Sequence, residues 1–289
     1  MKILVIGNGF IATPLILKLE SEGHELLVYS KSLKKDVKSN QVLGDIFLFE
    51  DFLKALRWNP QIVIHTAWIT THDRYKNDLS NHRYAQFTTS LAKHIALTDI
   101  EHLIILGTCA EYGHQTKVST AGITKLSPAN LYAQQKVLAF NSVKEILGGS
   151  KVRLTWARIF QPYGPRQDKD RLIPYLIHSL KSGARIQLGD TSSIHDWITT
   201  RDIASAISWV INHQVSMEVD VGTTFGSTNV EILKELEELL GNSTQWKEFA
   251  TLKYGANELS IVGEDSPLLK SGWAPLDSLH TGLEWVLSS

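Results

Sequence analysis

Lys2-Ile3-Leu4-Val5-Ile6-Gly7-Asn8-Gly9-Phe10-Ile11-Ala12 decides the fold. Ile3–Ile6 is a continuous apolar run, the pattern of a strand buried on both faces. From Phe10 to about Glu22 the pattern is helical, with Pro14 acceptable because it falls in the first turn. Between the two, Gly7 to Ala12 fits G-x-G-x-x-A, the looser form of the dinucleotide fingerprint. The first glycine makes the tight turn, and the second lets backbone approach a pyrophosphate. Ala12 keeps the helix close to the sheet, and the helix N-terminus favours phosphate charge. An ordinary glycine turn would carry the same glycines. The strand before the loop and the strand–helix units after it favour a nucleotide. Gly7, Asn8, Gly9, Phe10 and Ile11 are therefore candidate cofactor contacts.

Further strands are expected at Glu25–Ser30, Gln41–Gly44, Ile62–Thr66, His102–Gly107 and Lys151–Phe160. Helices are expected near Glu50–Arg57, Asn81–Thr98 and Leu131–Leu147, the last closed by Gly148-Gly149. This alternation predicts an α/β chain with a doubly wound parallel sheet of Rossmann type, covered by helices on both faces. Gln161-Pro162-Tyr163-Gly164-Pro165 breaks the pattern. Beyond it, helices are expected at Arg171–Ser182, within Ile198–His213, at Val230–Leu240 and through Trp285. The division expected is a dinucleotide-binding domain over 1–164, with a segment returning at about 190–215. Residues 165–289 form mainly a smaller C-terminal substrate lobe.

The chain has 289 residues, 29 Lys+Arg, 30 Asp+Glu and a net charge of -1. A dedicated nucleic-acid binder would show a basic excess, so that class is set aside. A single cysteine, Cys109, excludes an internal disulfide and a Cys-based zinc site. No stretch reaches the roughly 18 apolar residues of a membrane span. The N-terminal apolar run is too short for a signal peptide. A cytoplasmic protein without membrane or metal partners is expected.

The second strand bears on which nicotinamide is used. An acid about 20 residues after the glycines would bind the ribose 2′-hydroxyl of NAD. Here the strand ends Val28-Tyr29-Ser30-Lys31-Ser32, with Lys34 and Lys35 next. Ser30 and Lys31 suit a 2′-phosphate, so NADP(H) is expected in preference to NAD(H). Lys34 and Lys35 fit a solvated loop nearly as well. Asp45 and Ile46, after the third strand, are candidate adenine-side contacts. Asp45 could accept from the adenine amino group or cap the next helix.

Tyr132-Ala133-Gln134-Gln135-Lys136 is Y-x-x-x-K on a helix, which puts both side chains on one face. A free tyrosine, with a pKa near about 10, is a poor acid–base group at neutral pH. A lysine one turn away favours the phenolate. Thr108 closes the fifth strand, at the end where open α/β sheets bind ligands.

These pieces, in this order, resemble the extended short-chain dehydrogenase/reductases, the group of nucleotide-sugar epimerases, dehydratases and reductases. Val63-Ile64-His65-Thr66-Ala67 is similar to the family's strand end near the nicotinamide. Asn81, Gly107-Thr108, Tyr112-Gly113 and Ser127-Pro128 ahead of Tyr132 continue the likeness. So do Arg158-Ile159-Phe160 with Tyr163-Gly164-Pro165, Arg171-Leu172-Ile173-Pro174, Asp196-Trp197-Ile198 with Asp202, and Gly272-Trp273 with Pro275. The resemblance implies Tyr132 as acid–base, Lys136 on the nicotinamide ribose and Thr108 on the reacting oxygen. It adds Thr66 and Ala67 to the cofactor contacts.

Dehydratases of this family look like T-D-E at the strand end. Thr108-Cys109-Ala110 lacks both carboxylates, which leaves an epimerase or a keto reductase. The resemblance to small 4-keto reductases, together with Ser30 and Lys31, favours NADPH-dependent reduction of a nucleotide-linked deoxysugar, with an epimerase as the alternative. A non-catalytic NADP sensor on the same fold is a third reading, which the intact Thr108, Tyr132 and Lys136 argue against. Two departures stand out: Gln161 where the family commonly has Asn, and His195 where it commonly has the Arg that meets the substrate diphosphate. Either Arg171 or Lys169 compensates, or the substrate is not a standard nucleotide diphosphate sugar. Trp68, Gln161, Arg171 and His195 are the candidate substrate contacts. The eleven histidines show no ligand spacing for a metal. A homodimer through a helix pair that includes the Tyr132 helix is compatible with the resemblance.

Overall fold

The computed structural model describes residues 1–248 and 258–289. Strand β1 (Lys2–Ile6) leads through the glycine loop into α1 (Ala12–Ser21). There follow β2 (Glu25–Ser30), β3 (Asn40–Leu43), α2 (Phe49–Leu56), β4 (Ile62–His65), α3 (Ser80–Ile95) and β5 (His102–Thr108). A 3-10 turn (Cys109–Tyr112), α4 (Leu131–Leu147) and β6 (Arg153–Ile159) complete the first part. These strands are parallel, in the order β6-β5-β4-β1-β2-β3. The central strands are buried throughout: all seven residues of β5 and Ile3–Ile6 of β1 are inaccessible or nearly so. Because successive side chains alternate faces, Ile3 and Val5 enter one layer with Leu15 and Ile16 of α1. Leu4 and Ile6 enter the other, with Phe52 of α2, Leu91 of α3 and Val143 of α4. This is the expected doubly wound sheet covered on both faces.

After β6 come β7 (Gln161–Tyr163), α5 (Leu172–Ser182), β8 (Ile186–Leu188), β9 (Ile194–Thr199), α6 (Thr200–Asn212) and β10 (Glu218–Val221). Then follow β11 (Gly226–Ser227), α7 (Asn229–Leu240), β12 (Trp246–Glu248), β13 (Leu259–Ser260), α8 (Pro267–Lys270) and α9 (Leu279–Leu287). Strand β9 pairs with β7, β11 and β13 in a small second sheet. Helices α5, α7 and α9 close a separate apolar cluster around Tyr163, Leu176, Leu236 and Leu283. The chain crosses back into the large sheet more than once. Ile207 and Val210 of α6 pack with α1, β10 is the strand beyond β6, and Leu268 and Trp273 fill the same layer.

A buried electrostatic cluster ties the first part together. Glu111 is fully buried in the turn after β5. Its carboxylate accepts from Arg158 Nε at 2.7 Å, Trp156 Nε1 at 3.0 Å and the backbone N–H of Thr108 at 2.9 Å. Arg158 also reaches Glu218 of β10 at 3.0 Å. Gly107 makes room for this approach, since a Cβ there would stand 2.3 Å from Trp156 Nε1. Burying an ion pair costs desolvation, and removing one partner leaves the other uncompensated. Arg158→Leu should therefore cost about 3–5 kcal/mol of stability in urea unfolding. A loss under about 1 kcal/mol would contradict this role for the pair, because losses that small belong to surface ion pairs.

Candidate active site

The carboxyl ends of β1, β4 and β5 open onto one cleft of about 750 Å³, within the usual range for a small-molecule site. At the floor is the glycine loop. Gly7 has φ +102°, a conformation L side chains rarely adopt, and a Cβ there would stand 2.6 Å from Thr66 Oγ1. A Cβ at Gly9 would meet nothing within 4 Å. The backbone at Gly9 therefore faces open cleft, as approach by a pyrophosphate requires. Asn8 Nδ2 donates to the Ser32 carbonyl at 2.5 Å, and Thr13 Oγ1 donates to the Asn8 carbonyl at 2.9 Å. These bonds fix the loop against the end of β2. The residues present thus fit a dinucleotide.

Gly7, Asn8, Gly9, Phe10, Ile11, Ser30, Lys31, Ile46, Thr66 and Ala67 line the cleft, as do Trp68, Thr108, Tyr132, Lys136, Gln161 and Arg171. Two predicted residues stand outside this lining. Asp45 turns its carboxylate to the Phe47 backbone N–H at 3.0 Å and to Lys31 at 3.4 Å, serving a local turn. His195 sits one residue short of Asp196 on β9, while Trp197 lines the cleft in its place. Burial lowers the His195 pKa, so its imidazole stays neutral and supplies no charge for a diphosphate. Between the two expected substitutes, Arg171 lines the cleft and Lys169 does not. The Arg171 guanidinium donates to the Thr70 carbonyl at 2.9 Å and lies over the Tyr75 ring.

Sequence reasoning missed His72, Tyr75 and Tyr84, which also line the cleft. All three come from the segment after β4 and the start of α3. The aromatic content there was the available signal.

The reacting end is nearly dry. Burial pushes the Tyr132 phenol well above the ordinary range. Lys136 is buried one turn later and donates to the Leu106 carbonyl at 2.6 Å. Burial pushes its ammonium down to about 7. Its amine points to the Leu106 carbonyl, and the Thr108 side chain opposes the rise of the tyrosine pKa. Thr108 is itself set by the turn, where its Oγ1 accepts from Ala110 N–H and its own N–H donates to Glu111. Burial pushes the Cys109 thiol up to about 12, which keeps it protonated and removes it as a nucleophile. Among the described residues no cluster of His, Cys, Asp or Glu could hold a metal, and no helix is long and apolar enough to cross a membrane.

The comparisons with known proteins bear on the family and the fold. The low-salt glycan biosynthesis protein Agl12 of Haloferax volcanii is 26% identical over 64% of this chain and 60% of its own length. A dTDP-glucose 4,6-dehydratase of Neisseria gonorrhoeae is 26% identical over 57% of this chain and 53% of its own length. The match thus spans less than two thirds of either relative. Among solved structures, Thermus thermophilus UDP-glucose 4-epimerase with NAD superposes with a TM-score of 0.86 at 21% identity, covering 100% of this chain and 98% of that one. Bacillus anthracis dTDP-glucose 4,6-dehydratase with NAD gives 0.86 at 21%, covering 100% and 96%.

The expected preference for NADP(H) is corrected here. Both of those solved structures hold NAD. In this chain Lys31 does not stand as a free cation for a 2′-phosphate. Its Nζ is 3.4 Å from the Asp45 carboxylate and 4.9 Å from the Phe47 ring centre, while Ser30 Oγ donates to the Ser32 carbonyl. A family model, NAD dependent epimerase/dehydratase family, matches residues 3–222, and the chain belongs to that family.

Proposed function

We propose that this chain is an NAD-dependent epimerase acting on a nucleotide-linked sugar. The observation that carries the reading is Tyr132 and Thr108 lining the cleft that the glycine loop shares, with Cys109 and Ala110 following Thr108. A dehydratase of the kind resembled would place two carboxylates after the threonine. A protonated thiol and a methyl supply neither an acid nor a base for eliminating water.

Gly7 to Ile11 would cradle the pyrophosphate, and Ile46 would face the adenine side. Thr66 and Ala67 would stand beside the nicotinamide, with Lys136 on its ribose. The chemistry supplied by bound NAD would be reversible hydride acceptance at the sugar carbon being oxidised. Tyr132 would then remove the proton from the hydroxyl being oxidised and give it back on reduction, the cationic nicotinamide ring of bound NAD favouring the phenolate against burial. Thr108 accepts or donates at the same oxygen and holds the phenol in line. Dry surroundings strengthen each of these interactions. Trp68, Gln161 and Arg171 frame the sugar side, with Arg171 as the cation nearest a substrate diphosphate. Reduction of a 4-keto sugar uses the same three side chains and is the second reading, favoured by the likeness of Thr108-Cys109-Ala110-Glu111-Tyr112-Gly113 to small keto reductases.

Purified protein would be incubated with UDP- and dTDP-linked glucose and galactose without added cofactor, and the products followed by NMR. The expected outcome is interconversion at the sugar C4 with no net change in nicotinamide absorbance. Formation of a 4-keto-6-deoxy sugar would contradict the reading, as would consumption of added NADH by a 4-keto sugar without epimerisation. Tyr132→Phe removes only the hydroxyl and should lower kcat by about 10²- to 10⁴-fold, the span of a lost general acid–base. NAD binding measured by calorimetry should be unchanged. An unaffected kcat would remove Tyr132 from the chemistry.

A further inference from the structure

Lys136 is an amine with almost no water around it. Four groups face it: the Leu106 carbonyl from β5, Glu111 from the turn after β5, His65 at the end of β4 and Tyr132 one turn back on α4. Only the first gives it a hydrogen bond in the structure, at 2.6 Å. The fifth neighbour is the indole of Trp68, whose ring centre lies 3.9 Å from Lys136 Nζ. That is well inside the distance at which an aromatic face attracts a cation, and the attraction grows when the pair is out of water.

We propose that Trp68 is a positioning residue for Lys136, its indole face holding the ammonium against the Leu106 carbonyl. The indole is fixed on its other sides. Its Nε1 donates to Asn81 Oδ1 at 2.8 Å, a buried bond, and Tyr84 stacks on it at 5.5 Å between ring centres. Asn81 is itself fully buried, and its Nδ2 donates to the carbonyls of Tyr75 and Asp78. Trp68 is thus a braced wall, only 9% exposed. Its pyrrole edge is spent on Asn81 and its ring on Lys136 and Tyr84, so the wall serves the lysine before any sugar. The tryptophan follows Thr66 by two residues at the end of β4, which lets a single strand end present both a cofactor contact and a support for the amine. Burial pulls Lys136 toward its neutral form, and Glu111 opposes that pull. The indole is a second opposing group, its ring centre 3.9 Å from the ammonium.

The inference rests on the proposed role of Lys136, yet its test needs no turnover. Protein labelled at lysine Cε would be titrated by NMR, with the Lys136 signal assigned by its loss in Lys136→Met. Lys136 is charged below its titration midpoint and neutral above it. Removing a group that favours the charged form must therefore lower the midpoint. Trp68→Leu should bring it down by about one pH unit, and Trp68→Phe, which keeps a weaker face, by less. Should Trp68→Leu fail to fold, the Phe variant carries the test with the smaller downward shift. A midpoint equal to or above that of the wild type in the folded variant overturns the inference. A lowered midpoint in a protein that shows no epimerase turnover would reject the proposed reaction and leave this inference standing.

Discussion

The parallel register of β1, β4 and β5 is the constraint on which the site depends. Ile6 is level with His65, and His65 with Ile105, while β5 runs three residues further to Thr108. The loop glycines, Thr66 and Thr108 therefore emerge at one rim of the sheet. Slipping any of these strands by one residue would turn its side chains to the opposite layer. Both layers are packed: Val5 and Leu4 belong to different clusters, and each is fully buried. The sheet holds its register through core packing, and the register in turn brings the glycine loop, Thr66 and Thr108 to one cleft.

The same packing creates an electrostatic problem that the chain solves locally. Glu111, Arg158 and Lys136 are all withdrawn from water near the end of β5. Glu111 serves both core and site, since one carboxylate takes Arg158, Trp156 and the backbone N–H of Thr108. The position of Thr108 is thus tied to the charge balance beneath it. Beyond β5, Tyr112 donates to Asp220 at 2.7 Å, extending the polar cluster into β10. Burial raises the Asp220 carboxyl to about 7. A dry site strengthens each contact and also makes each unpaired charge expensive.

Much of this was legible in the sequence because it is local. The strand, glycine loop and first helix follow from adjacent residues, and the helix at Leu131–Leu147 was bounded correctly by its period and its glycines. Thr108, Tyr132 and Lys136 were placed by strand end and helix spacing, which survive errors of a residue or two elsewhere. What failed depended on contacts between distant segments. Lys31 was read as a cation for phosphate because Asp45 is remote in sequence, and only the pairing of β2 with β3 brings the two together. His195 was expected in the cleft, but at the start of β9 it lies short of it, and Trp197 fills the position. The second lobe is expected to take most of 165–289, with a return to the core at about 190–215. In the structure α6 packs in the large core, and β10 and Trp273 join it from further along the chain, because their apolar faces complete the layer begun by α1. The partnership of Glu111 with Arg158 was invisible, since a lone glutamate in a turn carries no sign of burial.

The central claim is that the cleft at the ends of β1, β4 and β5 holds NAD and not NADP. The direct measurement is to denature freshly purified protein and identify the released nucleotide by mass spectrometry, then titrate the emptied, refolded protein with NAD and with NADP by calorimetry. The account predicts NAD as the released nucleotide, or tighter binding of NAD where none copurifies. Release of NADP, or tighter binding of NADP by the emptied protein, would contradict it.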